Sequence, residues 1–502
     1  MMNYTVKEIH EAFANGSETC ESLVTKIMSD FENDKKSATP LNAFLELYDD
    51  ALTKAKACDE KITSAKKNNS LSELFLEKPL FGIPFANKDN ISVRGKRLTC
   101  GSKILQGYVA PYNATVIARL EKTGAIPLGR CNQDEFAMGS STEYSAYGAT
   151  RNPLDRTRVA GGSSGGSAAT VSANLACFSL GTETGGSVRL PASYCGVYGL
   201  KPTYGLLSRW GVVAYGSSLD QVGVMAHTPN DIARSLSCMA GKDFYDDTSE
   251  EFADAKSLQT LQAFNESDFA KLKIALPKQF IENKGMSADV ARVFDETKNW
   301  FSKKGATIET VDIPVLEAAV ASYYVIALAE AASNLSRFDG IRYGARVDAG
   351  KGYDELYVET RSEGFGAEVK RRIVIGNYVL SEQFSGDTYK KGMTVRARIQ
   401  KEMQKLFQSY DMVLCPTCPT AAFKLGEKIN DPLEMYLSDL FTNFVNLARN
   451  TSLSVPCGKT SDGLPIGIQF IGPMFGEKKI LSIAESWDAE HAGCGIHSFD
   501  KN

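Results

Sequence analysis

The sequence predicts an α/β protein, a β-sheet covered on both faces by helices. Short apolar runs of strand length alternate along the chain with runs of helical periodicity, the pattern of a sheet packed beneath helices. The 502 residues are 43% apolar and 23% charged, an ordinary balance for a globular protein and against wholesale disorder.

The elements follow in order. Residues 5–67 are helical in pattern and charged on one face; Thr5 is placed to cap the first helix, with Ile9 and Phe13 on one side. A polar break covers 66–69. Residues 80–84 read as a short core strand, so Lys88 falls just past its end, where a solvated lysine is the ordinary outcome. Residues 115–122 read as a helix closed by Gly124, and 125–129 as a strand. Residues 167–176 read as a tightly buried helix and 177–181 as a buried strand. The acidic stretch 242–255 reads as a surface loop before a more helical section. Strand 272–276, helix 287–304 and strand 308–313 come next. In that helix Val290, Val293, Phe294 and Phe301 share a face, Ser287 caps it and Gly305 ends it. Residues 315–333, interrupted by Glu317 and Glu330, read as a buried helix, and no apolar run is expected to span a membrane. Helix 395–407 and strand 412–415 repeat the alternation.

Length alone would suggest about three domains. We expect one domain over residues 1–502: a helical cover (1–70), a core (80–230), a more helical section (240–400) and a return to the sheet (405–475).

Composition narrows the chemistry. A formal charge of −4 argues against a self-sufficient nucleic-acid surface, but not against a chain whose partner holds the nucleic acid. The 11 cysteines run from Cys20 to Cys494, and the first residues lack an apolar signal core, so free thiols in a cytoplasmic setting are expected. Cys415 and Cys418 form a lone C-x-x-C, half a zinc site at best, and read as core cysteines; no metal site is expected. The four histidines, His10, His227, His491 and His497, leave little material for a histidine base.

Residues 160–187, AGGSSGGSAATVSANLACFSLGTETGGS, hold two Gly-Ser clusters. Glycine-rich turns let backbone N–H groups approach a ligand. Three chemistries compete. A phosphate cradle would need a lysine after the glycines. A nucleophile elbow matches Gly162–Gly166 with Ser164 central, but needs a later histidine. A serine activated by a neutral lysine through a second serine would use Lys88, Ser163 and Ser187, and suits the shortage of histidine.

The segment GGSSGGSAA…LGTETGGSVRLPASYCGVYGLKPTYG resembles the amidase signature family, and the likeness extends from Phe81 to Pro473. The resemblance implies that family's fold, a central mixed β-sheet under helices. It implies a nucleophile at Ser187, a relay serine on a cis peptide at Ser163, a base at Lys88, and oxyanion-binding N–H groups at Thr184, Gly185, Gly186 and Ser187. Asp134-Glu135-Phe136-Ala137-Met138-Gly139, Ser333-Asn334-Leu335-Ser336-Arg337-Phe338-Asp339-Gly340 and Asp431-Pro432-Leu433-Glu434-Met435-Tyr436 are most similar to the glutamine-hydrolysing subunits of tRNA-dependent amidotransferases. That likeness implies glutamine held by Tyr323, by Arg372 at its carboxylate and by Asp439 at its ammonium, with Tyr324 and Arg371 as adjacent alternatives. It further implies no cofactor in this chain, a B subunit (kinase and transamidase) that uses ATP and Mg, a small C subunit, and tRNA bound mainly through the partner. The alternative is a stand-alone amidase for another carboxamide.

Overall fold

The computed structural model describes residues 4–491, except 253–254, 284, 349, 351 and 382–386. Cys494 and His497 therefore lie outside the described residues. Eleven strands form one mixed sheet in the order β1-β3-β2-β4-β6-β5-β10-β11-β9-β7-β8. They are β1 Phe44–Leu47, β2 Pro84–Lys88, β3 Ile126–Cys131, β4 Phe178–Glu183, β5 Tyr198–Lys201, β6 Gln221–Ala226, β7 Lys273–Pro277, β8 Thr307–Val311, β9 Met412–Pro416, β10 Thr451–Lys459 and β11 Pro465–Gly472. β2 runs parallel to both β3 and β4, and β7 runs parallel to both β8 and β9. The six remaining pairings are antiparallel.

Strand alternation separates two cores. Met412 and Leu414 of β9 belong to one apolar cluster, Val413 and Cys415 to the other. Ile274 and Leu276 of β7 likewise part from Ala275. Successive side chains of a strand face opposite ways, so the two clusters cover opposite faces of the sheet. The second also takes Tyr323 and Phe441, which places it on the face that bears the site.

Several expectations shift for physical reasons. The strand expected at 80–84 begins at Pro84, because Gly82 turns the chain at φ +75°. Lys88 is consequently the last strand residue, with no solvent exposure. β1 interrupts the expected helical cover. It is an edge strand in which Phe44 alone is fully buried, so it carries no apolar alternation. The helix expected at 167–176 spans Gly165–Ser172. That expected at 287–304 spans Ala288–Lys303 and is capped by Ser287, and Thr5 caps Val6–Asn15. The helix expected at 395–407 begins earlier, at Asp387.

The stretch 242–255, outside 253–254, is no simple surface loop. The Asp243 carboxylate accepts hydrogen bonds from Ser208 Oγ and Thr115 Oγ1, both at 2.5 Å, and Asp246 accepts one from the Arg209 N–H at 2.7 Å. Pro314–Leu335 is, by length and composition, apolar enough to cross a membrane, against expectation. Its helix Ala319–Leu335 buries Tyr323, Ile326, Ala327, Ala331 and Leu335 in the second core.

The turn after β4 is held by a buried ion pair. Glu183 and Arg189 are both fully buried, and the Arg189 guanidinium contacts Glu183 Oε1 directly. Glu183 Oε2 accepts the N–H groups of Val188 and Arg189, each at 3.0 Å. Arg189 also donates to the Thr442 carbonyl at 3.0 Å and to Asn446 Oδ1 at 2.7 Å. The pair thus clamps residues 183–189 to the segment 439–446. Breaking a buried pair strands a charge and costs about 3–5 kcal/mol. We expect Arg189→Met to lose about that much in urea denaturation; an unchanged midpoint would contradict the clamp.

Candidate active site

Lys88 ends a strand flanked on both sides, which is why its amine cannot reach water. Nζ donates to Ser163 Oγ at 2.7 Å and to the Thr182 carbonyl at 3.2 Å. Burial pulls its pKa down to about 7, against the opposing charges of Asp134, Asp220 and Glu183. No carboxylate pairs with it directly among the described residues.

Ser163 follows a cis peptide bond from Gly162 and is fully buried. It is not a helix cap: Ser164 takes the cap position of Gly165–Ser172, and its Oγ donates to the Thr182 carbonyl at 3.1 Å. That bond also turns the central serine of the G-x-S-x-G pattern into a structural group. The 161–163 turn rests on Asp134, whose carboxylate accepts the N–H groups of Thr142 at 2.8 Å and Tyr144 at 3.1 Å. Any side chain on Gly162 would collide with that carboxylate and with the Ser141 nitrogen.

Ser187 sits between β4 and the helix Arg189–Cys195. Its carbonyl accepts the Ser164 N–H at 3.1 Å, which ties the two Gly-Ser clusters together. The structure thus brings Lys88 and Ser163 into direct contact. It joins Ser187 to them through backbone, with no Ser163–Ser187 side-chain hydrogen bond among the described residues. The N–H groups of Thr184, Gly185, Gly186 and Ser187 have no protein acceptor among the described residues. Thr184 Oγ1 donates to Asp220 Oδ1 at 2.6 Å, and Asp220 also accepts the N–H groups of Tyr215 and Gly216.

The other three predicted residues converge on the same turn. A side chain on Gly185 would lie 2.6 Å from the Tyr323 hydroxyl, and one on Gly186 would lie 2.7 Å from Asp439 Oδ1. Asp439 is buried. Its Oδ2 accepts from Ser140 Oγ at 2.7 Å, while Oδ1 has no partner. Burial pushes its pKa up to about 7. Arg372 is 3% exposed and donates to Glu368 Oε1 at 2.7 Å and to the Tyr215 hydroxyl at 2.9 Å. The neighbouring alternatives face elsewhere: the Arg371 side chain is 43% exposed, and Tyr324 stacks on Tyr436 at 4.3 Å.

Asp134, Thr182, Tyr215, Asp220 and Glu368 support the site and were not legible beforehand. Each acts through a partner distant in sequence, and no local spacing marks them. The histidines sit in other roles: His10 bonds the Phe81 carbonyl, and His491 stacks on Trp487. Among the described residues no three His, Cys, Asp or Glu side chains gather as a metal site would require.

A base–hydroxyl pair, a second serine and a row of free N–H groups form the equipment for acyl transfer. The Amidase family model matches residues 31–481. The glutamyl-tRNA(Gln) amidotransferase A subunit of Treponema denticola is 57% identical, over 97% of this chain and 99% of that protein. Its counterpart from Treponema pallidum is 52% identical, over 93% of this chain and 94% of that protein. The crystal structure of the corresponding A subunit from Thermotoga maritima superimposes with a TM-score of 0.72 at 36% identity, covering 95% of each chain. A fold, a lysine–serine contact and likeness along nearly the whole chain point the same way, and the chain belongs to the amidase signature family.

Proposed function

We propose that this chain is the glutamine-hydrolysing A subunit of a tRNA-dependent amidotransferase. The 2.7 Å contact between the fully buried Lys88 amine and Ser163 Oγ carries the reading. A neutral amine accepts the proton of the Ser163 hydroxyl while Ser163 takes the proton of Ser187 Oγ. That oxygen attacks the side-chain carbonyl of glutamine. The resulting oxyanion lies against the N–H groups of Thr184, Gly185, Gly186 and Ser187, each worth roughly 3–4 kcal/mol if well aligned. The C–N bond breaks as the proton returns through Ser163 to the leaving nitrogen, releasing ammonia and leaving a glutamyl ester on Ser187. Water, activated by the same relay, cleaves the ester and frees glutamate.

The amino-acid part of the substrate accounts for the rest of the pocket. Arg372 offers a planar fork to the α-carboxylate. Asp439 Oδ1 and the Tyr323 hydroxyl face the ammonium side. The relatives' names support partners: a B subunit that spends ATP, with Mg, on Glu-tRNA(Gln), and a small C subunit, with tRNA contacted mainly through the B subunit. On this reading the chain itself needs no cofactor and works in the cytoplasm.

In the assembled complex, Ser187→Ala should lower glutamine hydrolysis by about a thousandfold or more; retained activity would reject the mechanism. Lys88 must be neutral and Asp439 ionised, and both titrate near pH 7. Activity should therefore rise with pH through about 7 and then level off. A profile flat between about pH 6 and 9 would remove Lys88 as the base. Arg372→Ala should cut kcat/KM for glutamine by about ten- to a hundredfold, mostly through KM. Fast hydrolysis of an amide lacking amino-acid groups, untouched by that change, would instead indicate a stand-alone amidase.

A further inference from the structure

Asn443 lies one turn after Asp439, its N–H donating to the Asp439 carbonyl at 3.4 Å. Its side chain is fully buried, and neither Oδ1 nor Nδ2 has a hydrogen-bond partner. A carboxamide buried without partners costs about 1–3 kcal/mol, so its persistence calls for a ligand. Its direction is fixed by the turn it faces. A side chain on Gly185 would lie 2.5 Å from Asn443 Oδ1 and 2.6 Å from the Tyr323 hydroxyl. Asp439 Oδ1, also unpartnered, faces the adjacent Gly186. Two unpartnered acceptor oxygens and a hydroxyl thus border one two-residue turn. The segment cannot easily slide, because Arg189 holds the Thr442 carbonyl and Asn446 Oδ1.

A primary ammonium carries three N–H donors. Asp439 Oδ1 supplies one acceptor and the negative charge, leaving two donors to be met in a site closed to water. We propose that Asn443 is a specificity-determining residue, its Oδ1 accepting a hydrogen bond from the substrate's α-ammonium group beside Asp439. This rests on the glutaminase reading and adds to it. The pocket selects amino-acid amides over the same amide without an amino group through two side chains, one charged and one neutral. The neutral acceptor adds recognition without a second carboxylate, whose charge would disfavour ionisation of Asp439.

The test compares L-glutamine with glutaramate, which is glutamine lacking the α-amino group, in the assembled complex. Asn443→Leu keeps the volume and removes the acceptor. It should lower kcat/KM for glutamine by about ten- to a hundredfold, and that for glutaramate by less than about threefold. Equal losses on both substrates would mean Asn443 only supports the fold, and no loss on glutamine would mean the ammonium does not bind there. Asn443→Asp retains the acceptor and covers the case in which the leucine variant fails to assemble. Its preference for glutamine over glutaramate should match or exceed wild type, and a lower preference overturns the proposal. Wild-type complex that hydrolyses neither substrate would count against the glutaminase reading rather than against Asn443.

Discussion

The site depends on keeping one amine dry. Lys88 is placed at the end of β2 between two parallel neighbours, so its nitrogen meets a serine hydroxyl and a carbonyl instead of water. A lysine in solution is charged at neutral pH and useless as a base. Desolvation reverses that, and it does so only while no carboxylate stands close enough to restore the charge. Asp134, Asp220 and Glu183 are all near enough to be felt, yet each is occupied elsewhere. Asp134 holds the N–H groups of 142 and 144, Asp220 holds Thr184 and the 215–216 turn, and Glu183 is committed to Arg189. The acids around the base are structural partners of the loops that surround it.

Those commitments make the site rigid. Acyl transfer needs the nucleophile, the relay and the oxyanion donors held to within a fraction of an ångström. The Glu183–Arg189 pair does this for the nucleophile's turn by binding its N–H groups from within and reaching across to 442 and 446. A buried ion pair is seldom a net source of stability. Here it positions: the turn that carries Ser187 and the segment that carries Asp439 and Asn443 share one guanidinium. Close packing leaves room for nothing larger than glycine at 162, 185 and 186, since a side chain there would meet Asp134, Tyr323, Asn443 or Asp439.

The substrate side follows a different rule. Most buried polar atoms in a folded protein are paired. Asp439 Oδ1 and both polar atoms of Asn443 are exceptions, and they gather at one turn beside free N–H groups. Arg372 is paired, but with a network of its own, formed by Glu368 and the hydroxyl of Tyr215, that orients its fork. The pocket therefore combines oriented charge with unspent hydrogen-bonding capacity, as a site for a small zwitterion requires.

Local signals were enough for the α/β class, for the main helices and strands around 115–131 and 272–313, and for the identities of Lys88, Ser163 and Ser187. Periodicity, caps and glycine-rich turns are written in neighbouring residues and survive without a fold. They could not show β1, an edge strand without alternation, nor that strand β2 starts at Pro84 and carries Lys88 into the interior. Nor could they separate Arg372 from Arg371, because adjacent residues on a helix differ only in which way the helix is turned. Packing decided that by burying one and exposing the other. It also decided the supporting acids and Asn443, whose roles arise where distant segments meet. Arg189 clamps partners 253 and 257 residues further along the chain, and no local pattern announces such a contact. Desolvation and mutual geometry are properties of packing, and only the folded chain has them.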